Sequence, residues 1–333
     1  MRACVTGGTG FIGGALVDRL LRDGAAVRVL ARPSPRADAL ATRGAEVVRG
    51  DLFDSKALDE AVCGTEVVFH AAAMVEGGGS REQFEETNLG GTQQVFEACI
   101  RQGLPHVVYL SSIAVYGLAQ NGQRIDELTP CDGSPEKRDL YAQSKIKAEE
   151  YATAIGPETR LAVTIVRPGI VYGPGRRLPV ALLGFQAGKI NVVFGRKRLH
   201  FPITYIDNLI DALMVAAKTG GLRKYIVIDD DNLTLGQYHA TRTEIDQTRT
   251  LFLPGWLVLA GPMVLNGLTR IVPVGRETAE IWRRQAQRAL QNRLYDTSLV
   301  RKELGWSPRV SLRDAIERTA RASKWPGDRP FIA

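Results

Sequence analysis

The sequence predicts an α/β protein in which a doubly wound parallel sheet is followed by a smaller C-terminal lobe. Short β-rich runs alternate with amphipathic helical runs through the first half of the chain. Strict alternation of strand and helix is typical of parallel βαβ units. A glycine-rich turn separates the first run from the first helix, and beyond residue 167 the alternation ends where Gly and Pro become dense. The part of the chain after residue 167 is therefore predicted to contribute a second, smaller lobe.

Hydrophobic periodicity places the individual elements. The predicted strands are residues 3–5, 26–30, 46–49, 67–70, 106–111 and 162–166, and the predicted helices include 12–22, 87–102 and 140–155. In the first helix Ile12, Leu16 and Leu20 fall on one face, and Gly24 follows as a stop signal. A helical run at 205–218 and an apolar strand at 225–228 are expected to return to the sheet.

Composition and charge exclude several classes of protein. The 333 residues are 44% hydrophobic and 24% charged, as in a folded globular chain rather than a disordered or fibrous one. The net charge of +7 comes from scattered basic residues without interleaved aromatics, so we expect no nucleic-acid partner. Cys4, Cys63, Cys99 and Cys131 form no CxxC pair and lie near no His at ligand spacing. We expect reduced thiols, a cytoplasmic location and no metal.

One apolar stretch, residues 251–274, has nearly the length needed to span a bilayer. It is interrupted by Pro254, Gly255, Gly261 and Pro262, and the N-terminus lacks the pattern of a signal peptide. We therefore expect no integral membrane insertion and predict that the stretch forms lobe core and the wall of an apolar substrate pocket. Association with one face of a membrane is the alternative.

The glycine-rich turn reads TGGTGFIG over residues 6–13. Gly7 allows a tight turn, Gly10 allows the backbone to approach a pyrophosphate, and Gly13 lets the helix pack on the strand. A helix N-terminus also attracts phosphate groups. Because the motif lies between a strand and a helix, it predicts a dinucleotide site. A purely structural turn is the alternative.

The end of the second predicted strand indicates which dinucleotide binds. An NAD-binding protein usually places Asp or Glu here, to accept hydrogen bonds from the ribose 2′-OH. This chain has Ala31 followed by Arg32, with Arg36 nearby. A guanidinium suits a 2′-phosphate, so we predict NADP(H) rather than NAD(H). The alternative is that Arg32 is an ordinary surface arginine.

Three residues form a candidate catalytic group. Tyr141 and Lys145 stand four positions apart on a predicted helix, where they share one face. A nearby ammonium favours the phenolate, so the Tyr could exchange a proton with a substrate oxygen. Ser112 ends a predicted strand that faces the same crevice, and its hydroxyl could hold that oxygen beside Tyr141. A helix-capping role is the alternative for Ser112.

With these residues the chain resembles the extended short-chain dehydrogenase/reductase family, which includes nucleotide-sugar epimerases, dihydroflavonol reductases and 3β-hydroxysteroid dehydrogenases. The matching motifs run in order across almost the whole chain. They are TGGTGFIG at 6–13, DL at 51–52, HAAA at 70–73, NLGGT at 88–92, SSIAVYG at 111–117, RPGIVYGP at 167–174 and LGWSP at 304–308. The resemblance implies a Rossmann fold in which 1–167 plus 205–230 bind NADP and 168–204 plus 231–333 bind the substrate.

The resemblance also implies a role for each site residue. Tyr141 would be the general acid/base, Lys145 would lower its pKa and hold the nicotinamide ribose, and Ser112 would polarise the substrate carbonyl. Hydride would pass between the nicotinamide and the substrate carbon. The residues predicted to contact the cofactor are Gly7, Thr9, Gly10, Phe11, Ile12, Gly13, Arg32, Arg36, Asp51, Leu52, Ala71, Ala72, Ala73, Asn88, Tyr141, Lys145, Pro168, Gly169 and Ile170. A homodimer formed through helices 87–102 and 140–155 is implied as well.

Departures from the family patterns reduce the number of reactions expected of this chain. Dehydratases place an Asp-Glu pair after the catalytic Ser or Thr, whereas this chain has Ile113 and Ala114. Arg32 argues against an NAD-retaining epimerase. The segment RDxxHVxD, which grips a nucleotide-sugar diphosphate, reads LHFPITYID at 199–207 without its Arg, although Arg196 and Arg198 lie close.

The leading hypothesis is therefore an NADP(H)-dependent ketoreductase or alcohol dehydrogenase. Its small-molecule substrate would have a hydrophobic part, such as a sterol-like, polyketide-derived or acyl group. A nucleotide-sugar 4-epimerase or 4-ketoreductase is the second hypothesis. A non-catalytic NADPH sensor is the third.

The remaining polar residues receive mainly structural interpretations. His70 and His106 flank predicted strands, and the acidic run at 229–231 is interpreted as a solvated turn. His200 lies near the predicted substrate lobe. Residues 77–80, reading GGGS, are expected to form a loop over the substrate.

Overall fold

The computed structural model describes residues 1–75, 79–117, 122–178, 184–254 and 292–322. The strands are β1 (Arg2–Thr6), β2 (Ala26–Ala31), β3 (Glu46–Arg49), β4 (Val67–His70), β5 (His106–Leu110), β6 (Arg124–Ile125), β7 (Ala162–Pro168), β8 (Ile170–Tyr172), β9 (Gly184–Ala187), β10 (Ile190–Phe194), β11 (Ile203–Tyr205), β12 (Leu222–Val227), β13 (Arg249–Leu253) and β14 (Leu294–Tyr295). The helices are α1 (Phe11–Arg22), α2 (Pro35–Thr42), α3 (Ser55–Val62), α4 (Arg81–Glu85), α5 (Gly91–Arg101), α6 (Leu140–Glu158), α7 (Ile206–Ala216), α8 (Leu235–Asp246), α9 (Ser298–Leu304) and α10 (Leu312–Arg321).

The predicted fold class is confirmed by a parallel sheet in the order β12-β7-β5-β4-β1-β2-β3, which is seven-stranded within the described residues. From β1 the chain builds outward to β3 on one side, and then from β4 to β12 on the other. This reversal between β1 and β4 opens a crevice at the carboxyl ends of the strands, where open α/β sheets bind ligands.

Both faces of the sheet are buried, as a sheet covered by helices on each side requires. Along β1, Val5 packs into the cluster beneath α1 and α7, whereas Cys4 points into the cluster beneath α3, α5 and α6. Both side chains are fully buried. The alternation of β1 therefore connects two separate hydrophobic layers.

Most element boundaries agree with the prediction, and the exceptions have physical causes. β7 continues through Arg167 and Pro168 because these residues pair with Ile226 and Val227 of β12. The helix predicted at 87–102 is α-helical only over α5, since a π-helical turn at Glu86–Gly90 precedes it. α6 runs to Glu158, beyond the predicted end at residue 155.

The C-terminal motif LGWSP docks on α7 through the fully buried Asn208. The Asn208 side-chain oxygen accepts the backbone N–H groups of Arg309 and Val310 at 3.0 and 2.9 Å. The Trp306 indole donates to the Asn208 carbonyl at 3.0 Å. These bonds place α9 and α10 beside the sheet.

The apolar stretch predicted at 251–274 falls partly outside the described residues. Its beginning belongs to β13, which pairs in parallel with β10 in a small sheet with β9. Residues 255–291 lie outside the description, so the predicted pocket wall stays a prediction. No helix in the described ranges is both long and apolar enough to cross a membrane.

Candidate active site

The glycine turn joins β1 to α1 at the crevice, and two of its glycines are sterically required. Gly7 has a φ of +75°, and a Cβ there would lie 2.6 Å from the backbone nitrogen of Ala72. A Cβ on Gly13 would lie 2.2 Å from the carbonyl oxygen of Gly7. The turn therefore packs tightly on the segment after β4, which contains Ala71 and Ala72, and on the first turn of α1.

The N-terminus of α1 is open toward the crevice. Gly10 is the N-cap and is exposed, and no side chain caps the helix. The first turn contains no acidic residue. Its free N–H groups and positive dipole end are thus available to an anion. This arrangement fits the pyrophosphate of a dinucleotide, with Thr9, Phe11 and Ile12 at the same edge.

The carboxyl end of β2 carries the two arginines predicted to bind a 2′-phosphate. Arg32 directly follows the strand, and Arg36 lies in the first turn of α2, which Ser34 caps through the N–H of Ala37. Both arginines are exposed. Neither forms an ion pair within the described ranges.

The predicted adenine contact lies after β3. The exposed Asp51 accepts the backbone N–H groups of Phe53 and Asp54 at 2.8 and 3.1 Å, so one carboxylate oxygen shapes the turn. Leu52 packs on Gly91, where a Cβ would lie 2.5 Å from its methyl carbon. The structure places both residues at the same edge of the sheet as the glycine turn.

A chain of hydrogen bonds connects the end of β1, where the glycine turn begins, to the start of α5. The hydroxyl of Thr92 donates to the carbonyl of Asn88 at 2.6 Å, so it accepts from Nε2 of His70 at 2.9 Å. Nδ1 of His70 then accepts from the Thr6 hydroxyl at 2.7 Å. Burial, followed by the charge of Lys145, lowers the pKa of His70 to about 3. His70 is therefore a neutral structural residue.

Asn88 extends this chain toward the candidate catalytic helix. Its amide exchanges two hydrogen bonds with the backbone of Met74, at 2.7 and 2.9 Å, and donates to the Ser144 hydroxyl at 2.8 Å. Ser144 in turn donates to the carbonyl of Tyr141 at 2.9 Å. Asn88 is buried, so it positions the segment around Ala73 against α6.

Ser112 and Tyr141 are brought together at the carboxyl edge. Ser112 follows β5 and accepts the N–H of Ala114 at 3.1 Å, which fixes its hydroxyl. Burial raises the pKa of Tyr141 to about 12, whereas hydrogen bonding with Ser112 lowers it. The charges of Asp139 and Arg176 make smaller contributions of opposite sign. At neutral pH the phenol holds its proton.

The ammonium of Lys145 lies at the end of β5. Its ammonium donates to the carbonyl of Leu110 at 2.8 Å and lies 4.8 Å from the centre of the Tyr109 ring. Burial lowers the pKa of Lys145 to about 7, and the charge of Glu149 opposes that shift. Its predicted effect on the pKa of Tyr141 and its predicted contact with the nicotinamide ribose stay predictions.

A buried ion pair stabilises the end of β5, next to the candidate catalytic residue Ser112. Glu149 on α6 and Arg167 on β7 each expose 1% of the side chain. Burial alone would raise the pKa of Glu149, but Arg167 and a 2.6 Å hydrogen bond from Ser111 hold it below its usual value. Arg167 also donates to the hydroxyl of Tyr116. The pair thereby fixes the strand end that carries Ser112.

The RPGIVYGP segment runs from β7 into β8. A Cβ on Gly169 would lie 2.5 Å from the carbonyl oxygen of Pro202, so this position needs glycine. The N–H of Ile170 donates to the same carbonyl at 2.8 Å. Pro168 is buried and Ile170 is half-buried, at the edge where the predicted nicotinamide contact would lie.

The other polar residues singled out from the sequence have structural partners. His200 is held by the side-chain oxygen of Asn292, and His106 is held by the Thr164 hydroxyl. In the acidic run, Asp229 accepts the N–H of Tyr205 and Asp231 accepts the Thr297 hydroxyl. No metal-binding cluster of His, Cys, Asp or Glu occurs among the described residues.

In the predicted loop at 77–80, residues 77 and 78 lie outside the described residues. Ser80 caps α4, where its hydroxyl accepts the N–H of Gln83 at 3.3 Å. Its backbone N–H donates to the Gln83 side chain at 2.9 Å, which completes a capping box.

Three residues of the site were missed from the sequence. Glu149 and Arg167 form the buried pair, and Arg176 places its guanidinium carbon 5.8 Å from the centre of the Phe11 ring. The spacing of Glu149, four residues beyond Lys145 on the same helix, was the available signal for the first. Arg176 lies two residues beyond the matched motif, but its contact with α1 is non-local.

Comparison with known proteins identifies the family of the chain. The sequence pattern of the NAD dependent epimerase/dehydratase family matches residues 3–228. A 3 beta-hydroxysteroid dehydrogenase/Delta 5-->4-isomerase of Mycobacterium tuberculosis (strain ATCC 25618 / H37Rv) is 34% identical over 228 residues, which are 65% of this chain and 60% of that protein. The match therefore spans less than two thirds of the mycobacterial protein.

Two further similarities extend over almost the whole chain. A 2-alkyl-3-oxoalkanoate reductase of Shewanella oneidensis is 27% identical and covers 95% of this chain and 84% of its own length. The structure of a UDP-glucose 4-epimerase with UDP-glucose from Thermotoga maritima superposes with a TM-score of 0.72 at 20% identity, covering 97% of this chain and 98% of that one. At that identity the structural likeness shows the fold alone.

Proposed function

Since the chain belongs to the NAD dependent epimerase/dehydratase family, we propose that it is an NADP(H)-dependent oxidoreductase that interconverts a ketone and a secondary alcohol. The observation that carries this proposal is the pairing of Ser112 with Tyr141 at the carboxyl edge of the sheet. The glycine turn and the open N-terminus of α1 lie at the same edge. A proton donor and a dinucleotide site thus share one crevice.

The proposed chemistry assigns the proton to Tyr141 and the orientation of substrate to Ser112. When bound, the nicotinamide supplies or accepts the hydride. Because the pKa of Tyr141 is raised to about 12, the phenol is protonated and suited to donate to a carbonyl oxygen that gains negative charge. The Ser112 hydroxyl would hold that oxygen beside the phenol.

Lys145 is proposed to act on the ribose side of the site. Its ammonium is already desolvated at the end of β5, next to Leu110. A ribose hydroxyl of the bound cofactor would compete with that carbonyl oxygen for the three N–H donors of the ammonium. Lys145 would thus orient the cofactor, and its position in this structure does not require direct contact with Tyr141.

The preference for NADP(H) over NAD(H) is proposed from the end of β2. Arg32 and Arg36 are exposed; Arg32 follows β2 directly and Arg36 lies in the first turn of α2. Two guanidinium groups suit a phosphate dianion. The chain has Ala31 and Arg32 where an acidic partner of the ribose 2′-OH would stand.

The proposed substrate is a small ketone or alcohol with a hydrophobic part. Ile113 and Ala114 directly follow Ser112 and cannot transfer protons, so an elimination reaction has no second acid or base there. The relatives named as a hydroxysteroid dehydrogenase and an oxoalkanoate reductase support a substrate with a hydrophobic part. The apolar sequence at 251–274 is proposed to wall the pocket.

The second candidate is a nucleotide-sugar 4-epimerase or 4-ketoreductase. The family name includes epimerases, and the exposed Arg196 and Arg198 lie on the turn between β10 and β11, where they could meet a diphosphate. This candidate predicts binding of UDP- or dTDP-hexoses.

A substrate panel monitored by NADPH absorbance tests the two candidates. The panel runs from steroid and acyl ketones to oxidised sugar nucleotides, and UDP- and dTDP-hexoses are assayed separately for epimerisation. We expect NADPH consumption with an apolar ketone and none with sugar nucleotides. Clear binding of a UDP- or dTDP-hexose together with sugar turnover would replace the reductase by the second candidate.

We also propose the wider organisation predicted from the sequence. Residues 1–167 plus 205–230 would form the cofactor domain, and 168–204 plus 231–333 the substrate lobe. A cytoplasmic homodimer would pair through α5 and α6, and the four cysteines are free thiols in the structure. Sedimentation at micromolar concentration tests the dimer, which predicts twice the mass of 36.4 kDa.

A further inference from the structure

A tight turn fixes the backbone of Arg176. After β8, Gly173 and Arg176 exchange both of their backbone hydrogen bonds, each 2.9 Å long. Pro174 and Gly175 form the corner, and Gly175 has a φ of +84°. Pro followed by a left-handed Gly is the pair that a type II turn requires. The side chain of Arg176 therefore starts from a rigid position.

From this turn the Arg176 side chain reaches the beginning of α1. Its guanidinium carbon lies 5.8 Å from the centre of the Phe11 ring, within the range of a cation–π contact. Phe11 is the first residue of α1 and directly follows the uncapped Gly10. The positive charge of Arg176 also lowers the pKa of Tyr141, which places the guanidinium within electrostatic reach of the phenol.

Two positive features thus meet in one part of the crevice. The first turn of α1 has free N–H groups, no capping side chain and no acidic residue. A guanidinium beside these groups creates a site for an anion with several oxygens. In a dinucleotide the group that binds at such a helix N-terminus is the pyrophosphate.

We propose that Arg176 binds the pyrophosphate of the dinucleotide together with the N–H groups of α1. This inference rests on the dinucleotide binding proposed above. It assigns the two anionic groups of the cofactor, the 2′-phosphate and the pyrophosphate, to different arginines. Arg32 and Arg36 meet the 2′-phosphate, which only NADP(H) carries, whereas Arg176 meets a group that NADPH and NADH share. Arg176 therefore sets affinity for both cofactors and no preference between them.

Ligand fragments test this inference without any turnover. ADP-ribose contains the pyrophosphate, whereas adenosine 2′-monophosphate contains the adenine and the 2′-phosphate but no phosphate on the 5′-oxygen. Calorimetric titration should show that Arg176→Gln weakens ADP-ribose, NADH and NADPH by a common factor of about 10 to 100, as expected for a charge-assisted contact. Affinity for adenosine 2′-monophosphate should stay within about twofold of the wild type.

Arg177→Gln is the matched control, because it removes the same charge from the next, exposed residue. It should change none of the four affinities by more than about threefold. If Arg176→Gln weakens ADP-ribose no more than Arg177→Gln does, or weakens adenosine 2′-monophosphate equally, the inference is wrong.

Arg176→Lys covers the case in which the Gln variant does not fold. It keeps the charge but loses the planar fork. A loss for ADP-ribose with none for adenosine 2′-monophosphate supports the inference, and unchanged binding of both overturns it. Failure of the wild type to bind ADP-ribose would instead defeat the proposed function. A chain that binds ADP-ribose but reduces no ketone would lose only its proposed reaction.

Discussion

The ammonium of Lys145 is hydrogen-bonded to the carbonyl oxygen of Leu110, 2.8 Å away, rather than directed to Tyr141 one helical turn earlier. The Tyr109 ring lies beneath the ammonium, 4.8 Å from its nitrogen. Both partners of Lys145 belong to β5. Residues of β5 therefore fix the position of the ammonium, although the backbone of this lysine belongs to α6.

The burial of Lys145 predicts a pH dependence of stability. Its pKa is lowered from 10.5 to about 7 in the folded chain. Between these values the unfolded chain binds a proton that the folded chain lacks, so the contribution of Lys145 to stability rises with pH. Urea unfolding from pH 6.5 to 9 should show the wild type gaining stability relative to Lys145→Met.

Lys147→Met is the control for that series, since it removes a lysine whose side chain is 41% exposed on the same helix. Its difference from the wild type should vary less with pH. Parallel profiles for the wild type and Lys145→Met would contradict the lowered pKa.

The Glu149–Arg167 pair predicts a large loss of stability on removal of one partner. Arg167→Met leaves a buried carboxylate without its cation, which typically costs about 3–5 kcal/mol. Arg101→Met removes a cation from the more exposed pair with Asp59, where a loss of at most about 1 kcal/mol is expected. The unfolding free energies of both variants in urea check this difference. Equal losses would show that burial of the pair is unimportant.

Arg32→Asp tests the assignment of the 2′-phosphate. The carboxylate should repel that phosphate and accept hydrogen bonds from a ribose 2′-OH. We expect the Kd for NADPH to rise about 10- to 100-fold while the Kd for NADH changes little. Arg160→Asp makes the same charge change at an exposed residue before β7, at the opposite edge of the sheet. Equal weakening of both cofactors by Arg32→Asp would defeat the NADP(H) preference.

Ser112→Ala tests the contact with the phenol. Hydrogen bonding with Ser112 lowers the pKa of Tyr141, so the variant should raise that pKa and reduce kcat by about 10- to 100-fold. NADPH affinity should be unchanged, and Ser112→Thr should restore most of the activity because it returns a hydroxyl. A kcat of Ser112→Ala equal to that of the wild type would remove Ser112 from the mechanism.

The sequence was sufficient for features whose cause is local. The glycine turn, the strand ends and the spacing of Tyr141 and Lys145 all follow from short-range geometry. Gly7 and Gly13 could be identified because a backbone that turns and packs so closely leaves no room for a Cβ. The crevice then follows from the order in which parallel strands connect.

The missed features depend on contacts between distant segments. The end of the Lys145 side chain is fixed by a carbonyl 35 residues earlier in the chain. The partner of Glu149 lies on the next strand, and Arg176 meets α1 across the crevice. Periodicity indicates which face a residue occupies, but it carries no information about which partner from another element faces it.

The most direct test of the account is Tyr141→Phe, assayed with the best ketone of the substrate panel. The change removes one hydroxyl and leaves the ring in place. We predict that kcat/KM falls by about 10²- to 10⁴-fold, the usual contribution of a general acid, while NADPH binding stays within about twofold of the wild type. A Tyr141→Phe enzyme that keeps its full turnover would contradict the central claim that this phenol delivers the proton.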